Sequence, residues 1–158
     1  MAEKHTISVL VENHFGVLAR VSGLISARAF NIDSLTVSAT EDPTVSRMTI
    51  VVDADAQKLE QVKRQLNRLI DVIDVRELGN GGFIARDLLL ARVDARGAAR
   101  EDVKRALARY GAKIADERGD SLIIEAVGDA KQLDELVEQL KPHGLSKLVR
   151  AGRVAIET

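Results

Sequence analysis

Apolar residues recur along this chain in two rhythms, every second position and every third or fourth. From Thr6 to Val11, Ile7, Val9 and Val11 share one face, as in a strand. From Val17 to Ala29 the period lengthens. Val17, Leu18, Val21, Leu24 and Ile25 form a helical stripe with Arg20 and Arg28 outside it. Asp33 to Ala39 alternates again, through Leu35, Val37 and Ala39. Glu41-Asp42-Pro43 reads as a turn, and Met48, Ile50 and Val52 mark a third strand. Leu59, Val62, Leu66, Leu69 and Ile70 repeat at helical spacing. Asp71 to Leu78 supplies a fourth strand carrying Val72, Ile73 and Val75.

That order, β-α-β-β-α-β, predicts an antiparallel four-stranded sheet with two helices on one face, the ferredoxin-like plan. The pattern then repeats. A strand over 86–93 carries Leu88, Leu89, Leu90 and Val93, and the next helix turns Val103, Ala106, Leu107 and Tyr110 inward. Strands near 113–116 and 122–127 flank Arg118-Gly119-Asp120. A helix holds Leu133, Leu136, Val137 and Leu140 and ends at Pro142 and Gly144. Leu145 to Ile156 is a last extended segment broken by Gly152. The expected class is α+β, two ferredoxin-like domains over 1–78 and 84–158, joined by a Gly-rich linker at 79–83 built on Gly79-Asn80-Gly81-Gly82.

The most informative junction is Val11-Glu12-Asn13-His14-Phe15-Gly16-Val17-Leu18, where a strand turns through a glycine straight into a helix. Backbone N–H groups at such a helix start seat a small carboxylate. Gly16 lets a ligand approach the backbone, and the Asn13 amide can both donate and accept. Asn31 lies about 20 Å away at the far end of the helix, at a 1.5 Å rise per residue. A two-fold dimer joined through the second strand, an edge with no Lys or Pro, would bring Gly16 of one chain to Asn31 and Ile32 of the other. Each residue also has a plainer reading: Gly16 as a turn glycine, Asn13 as a turn former, Asn31 as a helix C-cap.

Composition narrows the classes. The 158 residues are 46% hydrophobic and 30% charged, with net charge −1 and no Cys. Disulfides, thiolate metal sites and cysteine nucleophiles are excluded, and no global field draws the chain to nucleic acid or anionic lipid. The start, with Glu3 and no long apolar run, does not read as a signal peptide, and no stretch reaches bilayer length; a cytoplasmic protein is expected. His5, His14 and His143 are too scattered for a metal site. Asp71 and Asp74 read as solvent-facing, Glu41 and Asp42 as turn residues, and Lys63, Arg64 and Arg68 as a wet helix face. No Ser/His/Asp order, P-loop or dinucleotide fingerprint is present, which places a small enzyme last among the rivals. A transcription regulator lacks its helix-turn-helix and basic stripe, and an RNA binder its aromatic platform.

Ser8-Val9-Leu10-Val11-Glu12-Asn13 followed by Gly16-Val17-Leu18-Ala19-Arg20-Val21 resembles the opening of an ACT domain. Asn31-Ile32-Asp33-Ser34-Leu35-Thr36-Val37, the segment from Asp42 to Ile50, and Asp71-Val72-Ile73-Asp74-Val75-Arg76-Glu77-Leu78 resemble the small regulatory subunit of acetolactate synthase. Arg86-Asp87-Leu88-Leu89-Leu90 fits that family more loosely. The resemblance implies an N-terminal ACT domain and a homodimer formed through it. It implies no catalytic residues in this chain, and a catalytic (large) subunit, a transferase of branched-chain amino acid biosynthesis, that the chain activates. Thiamine diphosphate, Mg and FAD are expected on that subunit and none on this chain. It further implies feedback inhibition by L-valine bound between two ACT domains at Asn13, Gly16, Val17, Leu18, Asn31 and Ile32. Nucleic acid and membrane are not expected partners. His14-Phe15 is a local variation whose bulk bears on effector preference.

Overall fold

The computed structural model describes residues 3–28, 30–79 and 82–158. Met1, the expected helix end at Ala29 and the linker's Asn80-Gly81 lie outside the described residues. The chain forms two compact units, 1–84 with 153–158, and 85–152.

The first unit holds β1 (Glu3–Glu12), α1 (Val17–Ser26), β2 (Asn31–Ala39), β3 (Val45–Ala54), α2 (Ala56–Leu66) and β4 (Val72–Leu78). Its sheet runs β2-β3-β1-β4, antiparallel throughout. Ile7, Val9 and Val11 of β1 stand opposite Ile50, Met48 and Ser46 of β3. Their apolar members pack with Val17, Val21 and Ile25 of α1 and Leu59, Val62 and Leu66 of α2. These helix residues recur at three- and four-residue spacing, one buried stripe per helix. Asp55 caps α2 by accepting from the Lys58 N–H at 2.8 Å.

The second unit holds most of β5 (Phe83–Asp94), then α3 (Ala98–Tyr110), β6 (Lys113–Arg118), β7 (Ser121–Gly128), α4 (Ala130–Leu140), a 3-10 turn at Lys141–His143 and β8 (Leu145–Arg150). Its order, β6-β7-β5-β8, reproduces the arrangement of the first sheet. Strict alternation in β5 sends Leu89, Ala91 and Val93 to the core beside Val103, Leu107, Leu133, Leu136 and Leu140, while Leu88 and Leu90 are exposed. A capping box of Asp129 and Gln132 starts α4.

Three expectations are corrected. Ile70 is 94% exposed rather than inward, because α2 ends at Leu66 and a turn carries the chain over 67–71. Ile73 is exposed because the β1–β4 register shifts there, Leu10 facing Asp74 and Val11 facing Val72. Asp71 is buried rather than solvent-facing. The final strand, β9 (Val154–Glu157), pairs with β5 and is grouped with the first compact unit. Ala151 and Gly152 interrupt the extended run. The returning segment is held by Arg153 donating to Thr6 Oγ1 at 2.9 Å and by the Thr158 N–H donating to the Gly82 carbonyl at 3.4 Å.

Candidate functional site

The turn between β1 and α1 is built mainly by backbone. The Asn13 N–H donates to the Thr44 carbonyl at 2.8 Å, and its side-chain amide donates to the Pro43 carbonyl at 2.9 Å. Asn13 thus fastens the β1 end to the loop before β3, and its Oδ1 has no partner among the described residues. Gly16 has φ +82°, left-handed backbone that side chains rarely adopt, and it stands at the N-cap of α1. It offers no side chain to the helix, and no acidic residue occupies the first turn. The Arg20 N–H bonds back to the Gly16 carbonyl at 3.0 Å, so the N–H groups ahead of it lack intrahelical acceptors. Uncapped donors and the positive end of the helix dipole make this turn an anion seat.

Val17 is buried, whereas Leu18, on the same first turn, is 46% exposed. The expected inner stripe therefore loses Leu18, which is left as an apolar surface beside the free N–H groups. Asn31 and Ile32 begin β2, beyond the C-terminal end of α1. The helix between is ten residues long, about 15 Å. One chain brings Asn13, Gly16, Val17 and Leu18 together and leaves Asn31 and Ile32 at the other end of the helix. The helix-cap alternative for Asn31 falls away: α1 ends at Ser26 with Ala27 as its cap, and the Asn31 amide donates to Asp33 Oδ1 at 3.4 Å. β2 is an edge strand as expected, with a bulge between Ile32 and Ser34 that leaves Ser34–Ala39 as its regular stretch.

A charged network lies under this turn. Asp71, buried where β4 approaches β1, accepts from Arg20 Nε at 2.8 Å and meets His14 Nε2 at 2.9 Å. Its backbone carbonyl accepts the Glu12 N–H at 2.9 Å, and Glu12 Oε2 lies 3.1 Å from His14 Nε2. The Phe15 carbonyl, then Glu12 and the charge on Asp71, raise the His14 pKa above its ordinary value. Ligand atoms of Glu12, His14 and Asp71 lie within 4.8 Å of one another, a geometry open to a cation. The Arg20 guanidinium already neutralises Asp71, which works against one. The only sequence sign of this network was Arg20, a charge off the apolar stripe; its partner lies 51 residues on.

The second unit's corresponding turn differs. Gly97 caps α3 with φ +53° and ψ −124°, and Arg96 is paired with Asp120 at 2.6 Å.

Comparison with known proteins identifies the family. Residues 7–74 match the family described as the AHAS small subunit-like ACT domain, and residues 86–158 the family described as the small subunit of acetolactate synthase. An acetolactate synthase small subunit of Mycobacterium leprae is 45% identical over 152 residues, 96% of this chain and 90% of the relative. A probable acetolactate synthase small subunit of Archaeoglobus fulgidus is 45% identical over 153 residues, 97% of this chain and 96% of its own length. The crystal structure of the acetolactate synthase small subunit of Thermotoga maritima superposes with a TM-score of 0.90 at 28% identity, over 99% of this chain and 98% of that one.

Proposed function

The chain belongs to the acetolactate synthase small-subunit family, with an N-terminal ACT domain, and from that membership we propose that it regulates the synthase: it binds and activates the catalytic subunit and conveys feedback inhibition by L-valine. The observation that carries the effector reading is the uncapped start of α1 behind Gly16. The valine carboxylate takes the N–H groups at Gly16, Val17 and Leu18, and Asn13 Oδ1 accepts from the ammonium. Two chains joined along their β2 edges complete the site, with Asn31 and Ile32 from the neighbour. Leu18 and Ile32 flank the isopropyl group. Leucine and isoleucine then inhibit more weakly, since one methylene is worth about 1–3 kcal/mol.

Inhibition follows from linkage. Valine stabilises one arrangement of the dimer and the catalytic subunit another, so each opposes the other through one coupling free energy.

Reconstitution with the catalytic subunit tests this, the rate being measured with and without L-valine and with D-valine as control. Gly16→Asp puts a carboxylate where the ligand's belongs. An added Cβ would lie 3.0 Å from Arg20 Nη1, the movable end of a long side chain, and Asp tolerates positive φ better than most residues. The variant is expected to fold, to activate, and to ignore valine. A variant that activates and stays valine-sensitive removes the Gly16 turn as the site. A wild-type complex indifferent to valine removes the effector.

A further inference from the structure

A second pocket lies on the face of the first unit's sheet opposite its helices. It encloses about 120 Å³ and is lined by Ser8, Arg47, Leu78, Ala155, Ile156 and Glu157. Sheet register explains its floor. Ser8 alternates with the core residues Ile7 and Val9, so it faces away from the helices, as does Arg47, the β3 partner of Leu10. The returning strand β9 supplies the other wall.

Charge is distributed unevenly around the cavity. Arg47 donates to the buried Ser8 hydroxyl at 2.7 Å and has no ion-pair partner among the described residues. On the other side one guanidinium serves two carboxylates: Arg76 Nε donates to Asp74 at 2.6 Å and Arg76 Nη1 to Glu157 Oε2 at 3.0 Å. Arg47 thus lacks an ion-pair partner among the described residues, and Glu157 is the carboxylate of the lining, sharing Arg76 with Asp74, beside the apolar Leu78, Ala155 and Ile156. A molecule that fits this polarity carries an anion at one end, a cation near it and a short hydrocarbon arm.

We propose that this pocket binds a small aliphatic α-amino acid, its carboxylate on Arg47 and the Ser8 hydroxyl, its ammonium on Glu157 Oε1, and its side chain against Leu78 and Ile156. The site is distinct from the Gly16 turn and is formed within one chain. Its volume, well under the roughly 300 Å³ where drug-sized pockets begin, excludes nucleotides and peptides. Because β9 forms one wall, an occupant fastens the C-terminal strand to the sheet that carries the Gly16 turn.

The test uses the full chain carrying Gly16→Asp, which removes the other amino-acid site, titrated calorimetrically with L-leucine and with its 2-oxo analogue. L-leucine is expected to bind the variant. Adding Arg47→Gln weakens it about tenfold or more, the effect of losing a charge-assisted hydrogen bond. Adding Glu157→Gln weakens L-leucine and leaves the 2-oxo acid, which lacks an ammonium, unchanged. Both side chains are exposed, and circular dichroism checks that the variants fold. No L-leucine binding at millimolar concentration, or binding that Arg47→Gln leaves intact, overturns the site. A 2-oxo acid that binds as tightly as L-leucine overturns the amino-acid assignment. A failure of the Gly16 reading shows instead as valine sensitivity surviving in Gly16→Asp, which Arg47→Gln does not touch.

Discussion

At the scale of single residues, the turn after β1 combines a backbone anion seat with a titratable support beneath it. His14 touches Asp71, Glu12 and the Phe15 carbonyl, and its raised pKa means that the folded state favours the imidazolium. The sign follows from proton linkage. Folding is assisted below the ordinary histidine value of about 6.5, and that assistance is lost as pH rises through the raised midpoint. An NMR titration should place the His14 midpoint above about 6.5, and Glu12→Gln should lower it. The stability difference between wild type and His14→Gln should fade as the solution turns alkaline; a difference that grows instead contradicts the assigned contacts. Asn31 is the cleaner probe of ligand binding. It is exposed, caps nothing, and its amide reaches Asp33 alone among the described residues. Asn31→Ala should change stability by less than about 0.5 kcal/mol and still desensitise the complex to valine. A lowered melting temperature with valine inhibition intact would make Asn31 structural.

At the scale of elements, the open edge of β2 decides whether two half-sites meet. Ser34–Ala39 continues regularly past the bulge and carries neither Lys nor Pro, so its outer hydrogen-bonding groups are free to pair. Val37, half-exposed near the middle of that stretch, is where a charge would tell. Val37→Lys would set two ammonium groups close together across the two-fold and should weaken dimerisation roughly tenfold, while circular dichroism stays native. Sedimentation at several concentrations measures it, and an unchanged dimer would remove β2 as the seam. The elements themselves were largely legible, because apolar period separates strand from helix wherever one face is buried: Ile7, Val9 and Val11, or Leu59, Val62 and Leu66, needed nothing else. What escaped depended on distant partners. Ile70 looked like one more turn of α2, but helix propensity does not mark where packing stops. Asp71 looked like a wet carboxylate, and Arg20 and His14, adjacent in space but more than fifty residues earlier in the chain, are its charged partners. The pairing of Val154–Glu157 with Phe83–Asp94 is likewise one that no local pattern announces. At the candidate site Gly16 and the donors behind it were readable from sequence, and the charged support under them was not.

At the scale of the whole molecule, a regulatory subunit of the proposed kind acts through affinity. If valine and the catalytic subunit prefer different arrangements of the regulatory dimer, the factor by which valine weakens subunit association must equal the factor by which the catalytic subunit weakens valine binding. A coupling of about 1–3 kcal/mol corresponds to roughly 5–150-fold. Two titrations measure it: the catalytic subunit into this chain with and without saturating L-valine, and L-valine into this chain with and without the catalytic subunit. The two ratios should agree and exceed one. Equal affinities in both titrations, with inhibition still observed, would mean that valine acts on the rate of the assembled complex and not on its formation, because linkage constrains equilibrium affinities and leaves turnover free. Gly16→Asp should bring both ratios to one while leaving the valine-free association constant near that of wild type. Loss of coupling together with loss of association would instead make the Gly16 turn part of the surface that the catalytic subunit touches.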